Sequence, residues 1–101
     1  MNEYLNCNYC IYKIHSKKTN GFHIGSTCNF DKRMKEHLKD AKTKDLLLYK
    51  CMRDYGIENF EFTILEHFYA ETIADALKLE QYYINKLNAN LNMISSHKMK
   101  L

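Results

Sequence analysis

A carboxylate interrupts the apolar stripe of a predicted helix near the end of the sequence. Residues 71–87 have the spacing of a long amphipathic helix, and its apolar stripe consists of Ile73, Ala76, Leu77, Ile84 and Leu87. Glu80 falls on this stripe, because it lies four residues after Ala76 and four before Ile84. A buried carboxylate normally has a cation, a metal or a proton as partner. Glu80 is therefore a candidate metal ligand, and the alternative is a glutamate at the stripe's edge that reaches water or a lysine.

Arg33 and His37 form a second candidate group, because residues spaced by four lie on one face of a helix. The planar guanidinium of an arginine can bind phosphate oxygens, and a histidine can carry or relay a proton. The two together suit phosphate-ester chemistry. A solvated, charged helix face explains the same residues at least as well, and the pattern alone leaves both interpretations open.

Tyr12 and His23 form a third group, on two segments whose aromatic and β-branched residues are typical of paired strands. A tyrosine becomes a useful proton acceptor only when nearby positive charge or a metal-bound water lowers its pKa from about 10. Arg33 and a metal at Glu80 would supply that charge. The alternative is that Tyr12 simply fills the core or the surface of its strand.

Six predicted elements must position these residues. The strands are 9–15, 22–26 and 60–68, and the helices are about 30–41, 45–55 and 71–87. Asn20 and Gly21 supply a hairpin turn, Thr27 or Asn29 caps the first helix, and Gly56 is expected to end the second in the left-handed conformation. Three strands need a covering layer. The order β-β-α-α-β-α therefore predicts an α+β fold, a small three-stranded antiparallel sheet flanked by three helices.

Length and composition indicate one domain. The 101 residues, 46% of them apolar, fit a single core, which we place at 1–94 and expect to be followed by a basic, flexible tail at 95–101. No stretch approaches the roughly 20 apolar residues of a membrane span, and the N-terminus lacks the pattern of a signal peptide. We expect a soluble intracellular protein of the cytoplasm or nucleus, without a membrane partner.

The basic residues are concentrated in the first half of the chain. Residues 1–55 hold eleven lysines and arginines against six acids, whereas residues 56–101 hold four against six. The basic half is where a polyanion would bind. Because lysines often only solvate a surface, this distribution favours a nucleic-acid partner only slightly over an ordinary soluble surface.

The cysteines offer a rival interpretation. Cys7 and Cys10 form a single C-x-x-C, without a second pair at zinc-finger spacing. Structural zinc generally takes four ligands, so this pair would have to recruit two scattered histidines. Reduced thiols are the preferred interpretation, and a small metal or redox module remains the alternative.

The candidate residues lie within a set of motifs that resembles a known family. Cys10-Ile11-Tyr12, followed after ten residues by His23-Ile24-Gly25, resembles the paired motifs that name the GIY-YIG nuclease superfamily, whose members include homing endonucleases. The later blocks follow in the family's order. They are the pair Arg33 and His37, the segment 48–62, the helix segment 79–84 around Glu80, and Asn92. The resemblance spans about residues 9–94 and implies a single catalytic domain.

The resemblance implies a role for each matching residue. Tyr12 would act as general base or orient the attacking water, and Arg33 would stabilise the charge that builds on the phosphate. Glu80 would hold one Mg²⁺ or Mn²⁺ ion per active site, His37 would assist proton transfer or phosphate positioning, and Asn92 would help to set the geometry. The implied reaction is hydrolysis of phosphodiester bonds in DNA, leaving a 5′-phosphate and a 3′-hydroxyl.

The implied substrate is duplex or branched DNA. The residues expected to contact it are Lys13, Ser26, Lys32, Arg33 and Lys35. Cutting both strands from one active site would take a homodimer on the substrate or two successive nicks, and the residues do not choose between them.

Two residues depart from the family's pattern. Cys10 replaces a glycine, which a strand position tolerates, and His23 replaces a tyrosine of the site. His23 could hydrogen-bond the phosphate, act as a base with a pKa near ~6.5, or mark lost activity. Retained activity is expected because the other site residues remain, and the alternative is a lapsed domain that binds nucleic acid without cutting it.

Overall fold

In a computed structural model of the protein, the described residues are 4–89 and residue 91. Within this part, the strands are β1 (Tyr4–Ser16), β2 (Phe22–Thr27) and β3 (Phe60–Thr72), and the helices are α1 (Phe30–Asp40), α2 (Leu47–Tyr55) and α3 (Ile73–Leu87). A short 3-10 turn at Ile57–Asn59 precedes β3. The predicted α+β class and element order are confirmed. Asn92 and the expected tail at 95–101 lie outside the described residues.

The sheet is antiparallel with the strand order β2-β1-β3, so β1 lies in the centre. The predicted hairpin is present. Residues 17–21 connect its strands, and Asn20 there takes a positive φ of 62°. Strands β1 and β3 each extend to 13 residues, further than predicted. Their far ends pair through the backbone, as in Cys7 opposite Ala70, and that pairing needs no apolar alternation to signal it.

The two faces of the sheet are covered by different helices. Because side chains alternate along a strand, Tyr12 packs in a core cluster with α1 and α2, whereas its neighbour Ile11 packs in a cluster with α3. The pairing of β1 with β3 shifts between these two residues, as in a β-bulge. In β3 the shift lets both Leu65 and Glu66 contact α3. The site residues must therefore come together around the end of the sheet.

The apolar stripe predicted for α3 needs correction. Leu77 and Ile73 are 55% and 37% exposed, and the residues that pack on the sheet include Leu79 and Tyr83 in their place. The buried face of α3 is thus rotated relative to the prediction, because large side chains adjacent to Glu80 fill the space on the sheet. Within the described helices, none is long and apolar enough to cross a membrane.

The helix ends follow the predicted chemistry with one difference. The Asn29 side chain accepts a hydrogen bond from the backbone N–H of Lys32 and so caps α1. Gly56 ends α2 with a φ of 92°, as expected for glycine, but its ψ of 139° lies outside the left-handed helical region. The chain therefore leaves α2 in an extended direction and enters the 3-10 turn.

Candidate active site

Tyr12 is placed in the centre of the site by its pairing with Gly25 on β2. The tyrosine ring lies directly over this glycine. A Cβ atom at position 25 would be 2.3 Å from the Tyr12 hydroxyl oxygen and 2.4 Å from Cζ, far inside contact distance. The glycine of the second motif is therefore required by the tyrosine of the first, since only a residue without a side chain leaves room for the ring.

His37 connects Tyr12 to a second tyrosine. Its Nε2 lies 2.7 Å from the Tyr12 hydroxyl and its Nδ1 lies 2.8 Å from the Tyr49 hydroxyl. All three side chains are buried. Burial and, to a smaller extent, the nearby charge of Arg33 together lower the pKa of His37 to about 3. His37 is therefore neutral at physiological pH, so it has one donor and one acceptor nitrogen.

Arg33, one helical turn before His37, brings positive charge to the same hydroxyls. Burial raises the pKa of Tyr12 to about 12, and the charge and hydrogen bond of Arg33 lower it only in part. The expectation that positive charge would bring the pKa of Tyr12 below its usual value is therefore not met by Arg33 alone. The guanidinium also forms an ion pair with Glu36, in which Nη1 lies 3.1 Å from Oε1.

Glu80 lies across the site from Arg33, on α3. It is partly buried, and its Oε1 accepts a hydrogen bond of 2.7 Å from the Ser26 hydroxyl. Burial raises the pKa of Glu80, while Ser26 and the charge of Arg33 lower it. The carboxylate on the apolar stripe is thus partnered by a hydroxyl from β2, a contact that the sequence pattern did not predict.

His23 is enclosed rather than open to solvent. Its ring lies 5.4 Å from that of His37 and 6.3 Å from that of Tyr12, measured between centroids. Burial lowers the pKa of His23 to about 4, despite a hydrogen bond to the backbone of Leu91. Its Nδ1 is buried and has no hydrogen-bond partner among the described residues. The lowered pKa argues against His23 as the base with a pKa near ~6.5 that the sequence left open.

The structure thus brings five of the six predicted catalytic residues together. They come from β1, β2, α1 and α3 and are Tyr12, His23, Arg33, His37 and Glu80. The sixth, Asn92, lies outside the described residues. Tyr49 was not among the predicted site residues, because it follows two leucines in α2 and therefore has the pattern of an ordinary core residue.

The residues expected to contact DNA do not form one surface. Lys13 follows Tyr12 in β1 and so projects from the opposite face of the sheet, where its Nζ lies 4.9 Å from the centroid of the Phe22 ring. Lys32 and Lys35 are exposed on α1. Lys13 is therefore separated from the expected contacts on α1. Ser26 pairs with Ile11 and bonds to Glu80, so it lies on the same face of the sheet as Lys13.

The carboxylate of Glu80 fits one hydrated divalent cation. The Ser26 hydrogen bond uses Oε1, and among the described residues no hydrogen bond uses Oε2, which can therefore bind an ion. The described residues contain no cluster of three or more His, Cys, Asp or Glu side chains that could hold a metal. Mg²⁺ keeps several water ligands and is commonly held by one or two carboxylates. The alternative at Cys7 and Cys10 stays untested, because the side chain of Cys7 lies outside the described part.

Comparison with known proteins places this fold and site in a family. Residues 8–92 match the family described as the GIY-YIG catalytic domain. The probable intron-encoded endonuclease 1 of Neurospora crassa is 35% identical over 82 residues, which is 77% of this chain and 27% of that protein. The chain therefore spans little more than a quarter of the length of this curated relative.

Two solved structures share the fold. The catalytic domain of homing endonuclease I-TevI has a TM-score of 0.73 and 27% identity, covering 87% of this chain and 97% of that one. A variant of the catalytic domain of intron endonuclease I-TevI, with a glutamate replaced by alanine, gives a TM-score of 0.74 at 27% identity and covers 87% and 92%. Fold and site together define an α+β domain similar to the catalytic domains of these endonucleases. The chain belongs to the family of GIY-YIG catalytic domains.

Proposed function

We propose that the chain is a metal-dependent DNA endonuclease that hydrolyses phosphodiester bonds and leaves a 5′-phosphate and a 3′-hydroxyl. The observation that carries this proposal is the position of Arg33, whose charge acts both on the Tyr12 hydroxyl and on the Glu80 carboxylate. A phosphate in contact with this arginine therefore has a proton-accepting group and a cation-binding group beside it. Phosphoryl transfer depends mainly on such positioning and charge neutralisation.

Glu80 is the residue that would hold the cation, one Mg²⁺ or Mn²⁺ ion per active site. When bound, the ion would supply positive charge that neutralises the phosphate and lowers the pKa of Tyr12, so that its hydroxyl can ionise and accept a proton. Ser26 orients the carboxylate by donating to Oε1. The support for this part of the proposal is a partly buried carboxylate that has a hydroxyl as partner and a free oxygen.

The chain's own residues divide the remaining work. Arg33 binds the phosphate oxygens and stabilises the charge that develops on them. Tyr12 would first lose its own proton to solvent and would then, as the phenolate, take the proton of the attacking water. His37 holds the Tyr12 oxygen in place through the contact at Nε2. His23 fills the wall behind these groups, and its unpartnered Nδ1 can accept a hydrogen bond from a hydroxyl or a water in the site.

DNA is proposed as the substrate from charge and from the relatives. Lys32 and Lys35 extend the positive charge of Arg33 along the exposed side of α1. Proteins that match this chain are described as intron-encoded or homing endonucleases. Duplex or branched DNA would suit this surface, cut either by a homodimer or by two successive nicks.

A second candidate function is binding without cleavage. The observation in its favour is His23, which stands where the family has a tyrosine and whose pKa is lowered to about 4 by burial. A neutral imidazole cannot replace a phenol as an acid. In this case DNA binding through α1 would persist without a divalent cation, and no nicked product would form.

A plasmid-nicking assay with and without Mg²⁺ or Mn²⁺ tests the proposal. We expect nicking that requires the metal and that Glu80→Gln reduces by at least roughly a hundredfold, since one transition-state contact contributes about this much. Glu71→Gln, an exposed carboxylate at the end of β3, is the matched control and should cut like the parent. Tyr12→Phe should be comparably impaired. DNA binding without nicking under any condition would contradict the proposal and favour the second candidate.

A further inference from the structure

Tyr49 is a buried polar residue that the proposed chemistry does not use. It lies on α2 with 2% of its surface exposed, among the leucines and methionine of the core cluster that the sheet forms with α1 and α2. Its hydroxyl is 2.8 Å from His37 Nδ1, and the positive charge of Arg33 also acts on it. A phenylalanine would fill the same space, so the hydroxyl calls for an explanation of its own.

Hydrogen-bond counting limits what this hydroxyl can do. Arginine only donates, so Arg33 can offer neither tyrosine an acceptor for its proton. The acceptor that lies within hydrogen-bonding distance of both hydroxyls is the His37 ring. Because a neutral imidazole has one acceptor nitrogen, only one of the two tyrosines can donate to it, and the other must accept the ring N–H.

The positions of the two tyrosines distinguish them. Tyr12 borders the site, where Glu80 lies near enough to act on its charge state and where a phosphate would bind. Its own proton can therefore be directed at an acceptor other than His37. Tyr49 is enclosed between α1 and α2, and its contact at Nδ1 is the hydrogen bond that its proton can make inside the described core.

We propose that Tyr49 is a positioning residue that donates to Nδ1 of His37 and thereby fixes the tautomer whose Nε2–H donates to the Tyr12 oxygen. This deepens the proposed function and rests on it, because it explains how Tyr12 is prepared to accept a proton. With the positive charge of Arg33 beside it and the N–H of His37 donating to it, the Tyr12 oxygen has two interactions that stabilise its phenolate form. In the other tautomer, Tyr12 would donate to His37 and lose one of them.

The charged and titratable groups around His37 are compatible with this neutral tautomer. They face it from four elements: Tyr12 from β1, His23 from β2, Arg33 from α1 and Tyr49 from α2. Two of them, Arg33 and His23, disfavour the positively charged form of His37, in which both ring nitrogens carry a proton. The hydrogen bond at Nδ1 is therefore what selects between the two neutral forms.

The direct test is the ¹⁵N NMR spectrum of the whole chain labelled at histidine, recorded without DNA or metal. We expect His37 to show a protonated Nε2 and an unprotonated Nδ1 in the parent. Tyr49→Phe should populate both tautomers, and Tyr55→Phe, which removes an exposed hydroxyl from the same helix, should leave the spectrum of His37 unchanged. A parent with the proton on Nδ1 would overturn the inference, even if the variant failed to fold.

Single-turnover cleavage over a range of pH is the second measurement. Tyr49→Phe should slow cleavage by roughly ten- to hundredfold, as loss of such supporting contacts does elsewhere, and should move the rise in rate to higher pH. Tyr55→Phe should match the parent in both. Parent-like rates and an unmoved pH profile in Tyr49→Phe would also overturn the inference. If the parent itself cuts no DNA, the proposed function fails, and the NMR spectrum alone decides the role of Tyr49.

Discussion

At the scale of single residues, the site is organised by what surrounds the Tyr12 hydroxyl. Burial raises the pKa of this tyrosine to about 12, and Arg33 opposes that effect without reversing it. His37 and Gly25 fix where the hydroxyl lies, one by a contact of 2.7 Å and the other by leaving space. The free domain therefore holds Tyr12 as a phenol, in a position where additional positive charge would make it acidic.

Gly25→Ala tests how strictly this position is set. The new methyl group would lie 2.3 Å from the Tyr12 oxygen, so the ring would have to move and lose its contact with His37. We expect a loss of about 1–3 kcal/mol in the free energy of unfolding, typical of overpacking, and a large loss of nicking. Urea unfolding and the plasmid assay measure the two effects.

The background variant Tyr12→Ala supplies the control, because it removes the ring that the methyl group would meet. In that background the added cost of Gly25→Ala should fall to about 0.5 kcal/mol or less, which a double-mutant cycle measures. Equal costs in both backgrounds would show that the glycine is required for a reason other than Tyr12.

At the scale of elements, what the sequence could predict depends on where the signal for each contact lies. Strand and helix order followed from apolar periodicity, which reports on burial along a single segment. The hydrogen bond between Glu80 and Ser26 did not follow from periodicity, because Ser26 is 54 positions away and belongs to a different element. Tyr49 was missed for the same reason, since its neighbours in sequence are core residues whereas its functional contact is with His37. Pairings between elements appear only once the sheet is assembled.

The α1–α2 connection depends on one arginine. Arg53 on α2 donates from Nη1 to the carbonyl of Ala41 at 2.7 Å and to that of Lys44 at 3.1 Å. These carbonyls belong to the end of α1 and the loop after it, so Arg53→Met should lower the free energy of unfolding by about 1–2 kcal/mol. Urea unfolding measures this effect. The matched control is Lys50→Met on the same helix, whose exposed ion pair with Asp54 should contribute less. A larger effect at Lys50 than at Arg53 would refute the assignment.

At the scale of the whole molecule, the sheet separates two cores that carry different groups. The face covered by α1 and α2 buries two histidines and two tyrosines, whereas Glu80 reaches the site from the helix on the other face. The basic half of the sequence forms β1, β2, α1 and α2, so the positive charge noted there lies on the elements that build the site. The histidines buried in the core that α1 and α2 cover should make the stability of the domain depend on pH.

The sign of this dependence follows from His23 and His37, whose pKa values are lowered to about 4 and about 3 by burial. Unfolded histidine has a pKa near ~6.5, so below that pH the unfolded chain binds protons that the folded chain excludes, and stability falls. From pH 7 to pH 5 each histidine should remove about 2 kcal/mol, partly offset by Glu80, whose raised pKa favours the folded state as pH falls. Urea unfolding at both values measures the loss. In His37→Gln the loss of stability should be about half as large. The control is His67→Gln, which changes an exposed histidine and should lose as much stability as the parent. A parent equally stable at both pH values would show that the rings of His23 and His37 are not held neutral in the core.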